Sequence, residues 1–174
     1  MKGHLVTVDP GYRDAGMAWF VDGKLRGAAY VEDSAPPRPT VEQWAWTAGL
    51  IWSHAQRWVD GNGPYQAFVE HMQVYPGDPV PPADLLKVQS VTAAAAVLLR
   101  TLPRMFEVTT EVPAKWKGQV PKKIHHQRVW ASLEPEEGEL LDSVLLAVHK
   151  DKVHNVMDAV AMGLWCCKRK LKSG

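Results

Sequence analysis

Apolar residues in the first third of the chain fall in short blocks and alternations, the pattern of strands rather than helices. His4-Leu-Val-Thr-Val8 reads as a buried strand ending at Asp9, and Pro10-Gly11 marks the turn after it. Residues 16–21 and 25–31 read as a second and third strand, joined by the hairpin signal Asp22-Gly23. A proline-rich connection over 34–39 follows, with Thr40 as the expected N-cap of a helix running to about Val59. Gly61-Asn62-Gly63-Pro64 ends that helix, and residues 66–69 form a short strand terminating at Glu70. Beyond a Pro/Gly-rich loop over 75–82, a helix is predicted over 84–101, carrying the small-residue run Thr92-Ala-Ala-Ala-Ala96. The remainder reads as a strand over 106–112, a loop over 113–121 and helices over 122–133, 136–149 and 154–171. This order gives a mixed α/β fold whose first three strands are antiparallel and whose later strands arrive by crossover. Residues 1–174 are expected to form a single domain, without internal repeat or low-complexity tail.

Composition narrows the class. The chain is 46% apolar and 22% charged, with eight tryptophans, as in an ordinary water-soluble domain. No apolar run approaches the roughly 20 residues needed to cross a bilayer, and the first residues lack a signal-peptide pattern. An intracellular location is therefore expected. Cys166 and Cys167 are adjacent, which disfavours a bridge between them, and no CxxC spacing is present for zinc.

Net charge is +1, but it is unevenly spread: residues 1–87 carry −3 and residues 88–174 carry +4. Lys115, Lys117, Lys122, Lys123 and Arg128 lie between Pro113 and Arg128 with no acid among them. Such a patch is either a solvated loop or a surface that neutralises phosphates.

Three acids stand where elements would aim them into one space. Asp9 ends the first strand, Glu70 ends the fourth, and Asp158 lies near the start of the last helix. In α/β sheets ligands gather at the carboxyl ends of strands. Neighbouring carboxylates repel, and a divalent cation with a preference for hard oxygen ligands, magnesium or manganese, relieves that repulsion. On the last helix Asp151, His154 and Asp158 fall at i, i+3 and i+7, with Asn155 pointing roughly the same way.

These segments together resemble the RuvC family of junction resolvases. Val8-Asp9-Pro10-Gly11-Tyr12-Arg13-Asp14-Ala15-Gly16 is similar to the family's opening strand and hairpin, Phe68-Val69-Glu70 to its second acidic strand, and His154-Asn-Val-Met-Asp158-Ala159 to its final helix. The resemblance spans nearly the whole chain, is nearest to phage-encoded members, and implies an RNase H-like fold with a five-stranded mixed sheet. It implies that Asp9, Glu70 and Asp158 are metal ligands. The fourth is assigned to His154, with Asn155, at the family's usual position, and Asp151 as alternatives. Two Mg2+ or Mn2+ ions per site, about 4 Å apart, would then activate water and stabilise the leaving oxygen.

The resemblance further assigns Lys117 and Lys123 to clamping the scissile phosphate, and Lys115, Lys122 and Arg128 to DNA contacts. Tyr75 is a candidate for stacking on a base, though its spacing from Glu70 departs from the family and suits loop anchoring better. The implied substrate is a four-way DNA junction, cut by a homodimer whose interface would use helix 84–101. The expected place is the cytoplasm of a bacterial or phage-infected cell, in recombination, repair or phage DNA processing, with neither membrane nor small-molecule cofactor involved. Three other readings share some of these residues: an RNase H-like nuclease for other branched or hybrid substrates, a non-catalytic junction-binding module, and an actin-like nucleotide-binding protein. The last needs about twice this length.

Overall fold

The computed structural model describes residues 3–59, 63–72, 81–118, 120–169 and 171; Tyr75 lies outside them. Its strands are β1 (His4–Pro10), β2 (Asp14–Val21), β3 (Lys24–Glu32), β4 (Tyr65–Glu70) and β5 (Met105–Glu111). Its helices are α1 (Thr40–Trp58), α2 (Pro82–Leu99), α3 (Pro113–Trp116), α4 (Lys122–Ser132), α5 (Pro135–Leu145) and α6 (Val153–Cys166). The strands form one sheet in the order β3-β2-β1-β4-β5, antiparallel among β1, β2 and β3, and parallel from β1 through β4 to β5. This is the mixed five-stranded sheet predicted from the element order.

Strand alternation divides the core into two layers. Leu5, Ala18, Phe20 and Phe68 point to one face, where they pack with Val156, Met157, Val160 and Leu164 of α6 and with α4 and α5 residues. Val6, Val8, Met17, Ala67 and Val69 point to the other, against Ala48, Ile51 and Ala55 of α1 and Val91, Ala95 and Leu99 of α2. The alanine run over 92–96 therefore serves helix–sheet and helix–helix packing, with Thr92 and Ala95 buried.

Helix α6 is buried along nearly its whole length, from Asn155 to Leu164. Two features hold it tightly to the sheet. Thr7 Oγ1 donates to the Ala159 carbonyl at 2.7 Å. Gly16 lacks the Cβ that would fall 2.0 Å from the Asn155 carbonyl oxygen.

Local chemistry moved several boundaries. Pro39, not Thr40, is the N-cap of α1, and no side chain caps that helix. The predicted loop 113–121 contains the short helix α3, started by a proline at its first position. The last helix stops at Cys166 instead of 171, followed by Lys168 in the left-handed region at φ 57°. At its other end it begins at Val153, which leaves Asp151 in the preceding turn.

Candidate active site

The register of β1 against β4 builds the centre of the site. Val8 pairs with Val69 as the last partners of the parallel ladder, so Asp9 and Glu70 each stand one residue further on. Val8 and Val69 belong to the α1/α2 layer, so alternation turns Asp9 and Glu70 to the opposite face, the one covered by α6. Asp158 lies there, buried in the second turn of α6. The three acids picked from the sequence are thus brought together.

They are near enough to act on one another's charge. Burial, followed by the charges of Glu70 and Asp158, holds the Asp9 carboxyl well above the usual carboxylate range. Burial and the charge of Asp158 push Glu70 up to about 7. Asp158 goes the other way: burial would raise it, but hydrogen bonding from His126 and the charges of Lys117 and Lys122 outweigh that and lower it. Lys117 Nζ donates to Asp158 Oδ2 at 2.9 Å, and His126 Nε2 lies 3.3 Å from Oδ1.

Lys117 reaches this position because it caps the short helix α3, its backbone N–H bonded to the Pro113 carbonyl at 2.8 Å. Lys122 and His126 are one turn apart on α4 and share a face. The charge of Lys122 acts on all three acids, while burial and the charge of Lys117 lower its own pKa.

The other predicted site residues divide. His154 is half-buried at the edge of the site; burial, then the charge of Lys122, lowers its pKa, and the charge of Asp158 partly opposes this. Asn155, one position on, does not face the carboxylates: its Nδ2 points to Asp14 Oδ1 at 3.4 Å. Asp14 also accepts from the Tyr30 hydroxyl at 2.8 Å and pairs with Lys152, so this group ties the start of α6 to the β2–β3 hairpin. Asp151 is exposed and pairs with His149 at 3.5 Å, off the helical face where the sequence put it, because α6 starts two residues later.

Lys123 is exposed on α4 and is not among the groups acting on the acids. Lys115 is exposed and paired with Glu111 at 2.7 Å. Arg128 is half-buried further along α4. Sequence reasoning missed His126; its one signal was the i, i+4 spacing from Lys122.

In chemical type the donors suit a hard divalent cation: three carboxylates, two of them raised by burial and mutual repulsion that such an ion would cancel. Among the described residues no three His, Cys, Asp or Glu side chains converge around one point, and both oxygens of Asp158 face Lys117 and His126.

The raised groups fix the sign of the pH response of the cation-free protein. A carboxyl whose folded pKa lies above its unfolded value favours folding while protonated, and that contribution is lost as pH rises through the folded pKa. With Glu70 moving from 4.5 to about 7, the melting temperature of Glu70→Gln in chelator is expected to gain on wild type as pH rises between those values, a difference in which the opposing contribution of His125, lowered to about 4, cancels. The stabilising effect of the lowered Asp158 is already in place above its ordinary value of 3.8 and does not offset the loss. A difference between Glu70→Gln and wild type that stays flat from pH 5 to 8 in chelator would show that the acids do not repel.

No protein-family model matches the chain, and no curated protein does. Among solved structures, Thermus thermophilus RuvC in complex with a Holliday junction substrate matches with a TM-score of 0.52 at 17% identity, over 92% of this chain and 90% of that one. The yeast mitochondrial Holliday junction resolvase Ydc2 matches with a TM-score of 0.62 at 14% identity, over 95% of this chain and 78% of that one. Antiparallel strands followed by parallel crossover strands, flanked by helices, define an RNase H-like α/β fold. Within that class, this is the fold of the RuvC-type resolvases.

Proposed function

We propose that this chain is a metal-dependent endodeoxyribonuclease that resolves four-way DNA junctions by phosphodiester hydrolysis. The observation that carries this reading is that Asp9, Glu70 and Asp158 stand on one face of the sheet and act on one another's charge, with Lys117 and Lys122 beside them. Two of the similar structures support the choice of substrate, being described as a resolvase and as RuvC with its junction.

Asp9, Glu70, Asp158 and His154 would hold two Mg2+ or Mn2+ ions. When bound, such ions supply Lewis-acid stabilisation of the phosphate and activation of the attacking water. The chain's own residues do the rest. The strand ends hold Asp9 and Glu70 before substrate arrives, while Asp158 would exchange Lys117 and His126 for the ions. Lys117 and Lys122 offer cationic groups to the charge that develops on the phosphate, and His126 orients Asp158. Lys115, Lys123 and Arg128 extend the cationic surface along the DNA backbone.

A homodimer suits a junction in which two strands are cut together. Helix α2 is its candidate interface, with Leu86 and Val97 each 66% exposed. The setting is DNA recombination, repair or phage DNA processing in the cytoplasm. Among the described residues, no helix is long and apolar enough to cross a membrane.

The test is cleavage of a labelled mobile four-way junction beside matched linear duplex and RNA–DNA hybrid, in magnesium, manganese or chelator. Paired nicks in the junction alone, lost in chelator, are expected. The pairing of Lys117 with Asp158 favours one other reading, a junction-binding module without catalysis. Tight binding without cuts under either metal would establish that module, and preferential cutting of the hybrid would replace the substrate.

A further inference from the structure

A cavity of about 650 Å³ lies between α3, α4 and the end of α6, and the hydrolysis proposed above makes no use of it. It shares one residue with the carboxylate site, Lys117, which therefore links the two. Trp116, His125, Arg128, Trp165 and Lys168 are also in its wall. The volume is in the range of pockets that enclose a ligand of nucleotide size.

The character of the wall limits what would enter. Trp165 is 40% exposed and packs edge-on against Phe68, with ring centroids 5.7 Å apart. Trp116 and His125, with centroids 5.5 Å apart, form a second aromatic pair in the wall. A wall of planar rings takes a planar, polarisable ligand.

The cations ask for negative charge. Arg169 also borders the cavity, but Glu137 engages it at 2.6 Å and 2.8 Å. Among the described residues Arg128 and Lys168 form no ion pair, so their charges remain available. Buried hydrogen-bonding atoms are also left over. His125 is only 2% exposed and its Nε2 has no partner, as is true of Trp116 Nε1 and Arg128 Nε. Unsatisfied groups of this kind are few in folded proteins and call for an explanation. Burial, then the charge of Lys117, lowers the His125 pKa to about 4, so at neutral pH its ring is uncharged.

Aromatic faces and uncommitted cations in one cavity, with unpaired polar atoms buried in its wall, match two parts of a nucleotide: a flat base and a phosphate. We infer that this cavity binds one unpaired nucleotide of the strand lying at the carboxylates, with its base against Trp165 and its phosphate facing Arg128 and Lys168. This rests on the DNA reading above and adds a base-holding subsite to it. The sharing of Lys117 places that nucleotide next to the scissile phosphate. Unpairing at that point would be stabilised by the stacking it gains.

The experiment scans the cleaved strand of a four-way junction. One set of junctions carries 2-aminopurine at successive positions around the cut, and another carries an abasic nucleotide at the same positions, all titrated with the full chain in chelator. Quenching of 2-aminopurine is expected at one position next to the cut. Removing the base there should weaken binding to the wild-type protein about tenfold. Trp165→Ala should abolish both effects and Trp165→Phe should keep them, while Arg128→Gln weakens binding to intact and abasic junctions alike.

Abasic junctions bound as tightly as intact ones at every position, by a wild-type protein that still cuts junctions, would overturn the subsite and leave the nuclease reading standing. The abasic series needs no mutation, so a Trp165 variant that fails to fold does not blunt the test. A wild-type protein that neither binds nor cuts junctions would overturn the nuclease reading, and the subsite with it.

Discussion

Asp9→Asn is expected to abolish junction cleavage and, in the same variant, to raise the thermal stability of the cation-free protein. Asp9 is half-buried beside Glu70 and Asp158, and burial together with both charges raises its pKa. Asparagine keeps the size and removes the charge. Bound ions would lose their central anionic ligand, and the several kcal/mol of transition-state stabilisation they supply corresponds to a rate loss of about 10³-fold or more. The fold, by contrast, loses a half-buried carboxyl that two neighbouring charges destabilise, and in a chain of this size each kcal/mol of relief raises the melting temperature by roughly 2–4 °C.

The paired readout matters, because a variant that merely misfolded would lose activity and stability together. Cleavage within tenfold of wild type would place the chemistry elsewhere. A melting temperature in chelator that fell would show that Asp9 is held by compensating partners and not strained by repulsion. Stability set aside for function in this way is common at active sites.

Gly16→Ala should be the most damaging small substitution at the sheet–helix contact. The added Cβ would lie 2.0 Å from the Asn155 carbonyl oxygen, 2.1 Å from its carbon and 2.5 Å from the Val156 nitrogen. All three are backbone atoms in the first turn of α6, so no side-chain rotation clears them, and the helix itself must move away from β2. Overpacking of this kind costs about 3 kcal/mol, a fall of roughly 6–12 °C in melting temperature.

Asp158 is one turn beyond Asn155, so junction cleavage should drop as well, more steeply than the remaining folded fraction explains. Gly49→Ala is the natural control. It lies within α1 with nothing within 4 Å of its added Cβ, and there alanine should stabilise by up to about 1 kcal/mol. Equal melting temperatures for the two variants would show that α6 does not depend on the close approach at Gly16.

The subsidiary residues show where sequence stops being informative. Lys117, Lys122 and Lys123 are alike in type and lie within seven positions of one another. Only the cap of α3 brings Lys117 onto Asp158, and only the first turn of α4 leaves Lys122 toward the acids and Lys123 outside. Asn155, read as pointing toward Asp158, is instead drawn to Asp14, a contact between residues 141 apart. His126 went unnoticed because its partner Asp158 is 32 residues away on another helix.

The order and type of every element but α3, and the three acids at their ends, are legible in the sequence alone. These are local consequences: alternation makes a strand wherever it falls, a turn signal ends it, and an acid just past a buried run lies at the edge of a sheet. Only the tertiary structure decided which cations and imidazoles meet those acids, and that Asn155 and Asp151 do not. It alone assembled the cavity between α3, α4 and α6. Such contacts depend on how α3 and α4 cross α6, and crossings are set by packing across the whole core, which no window of sequence contains.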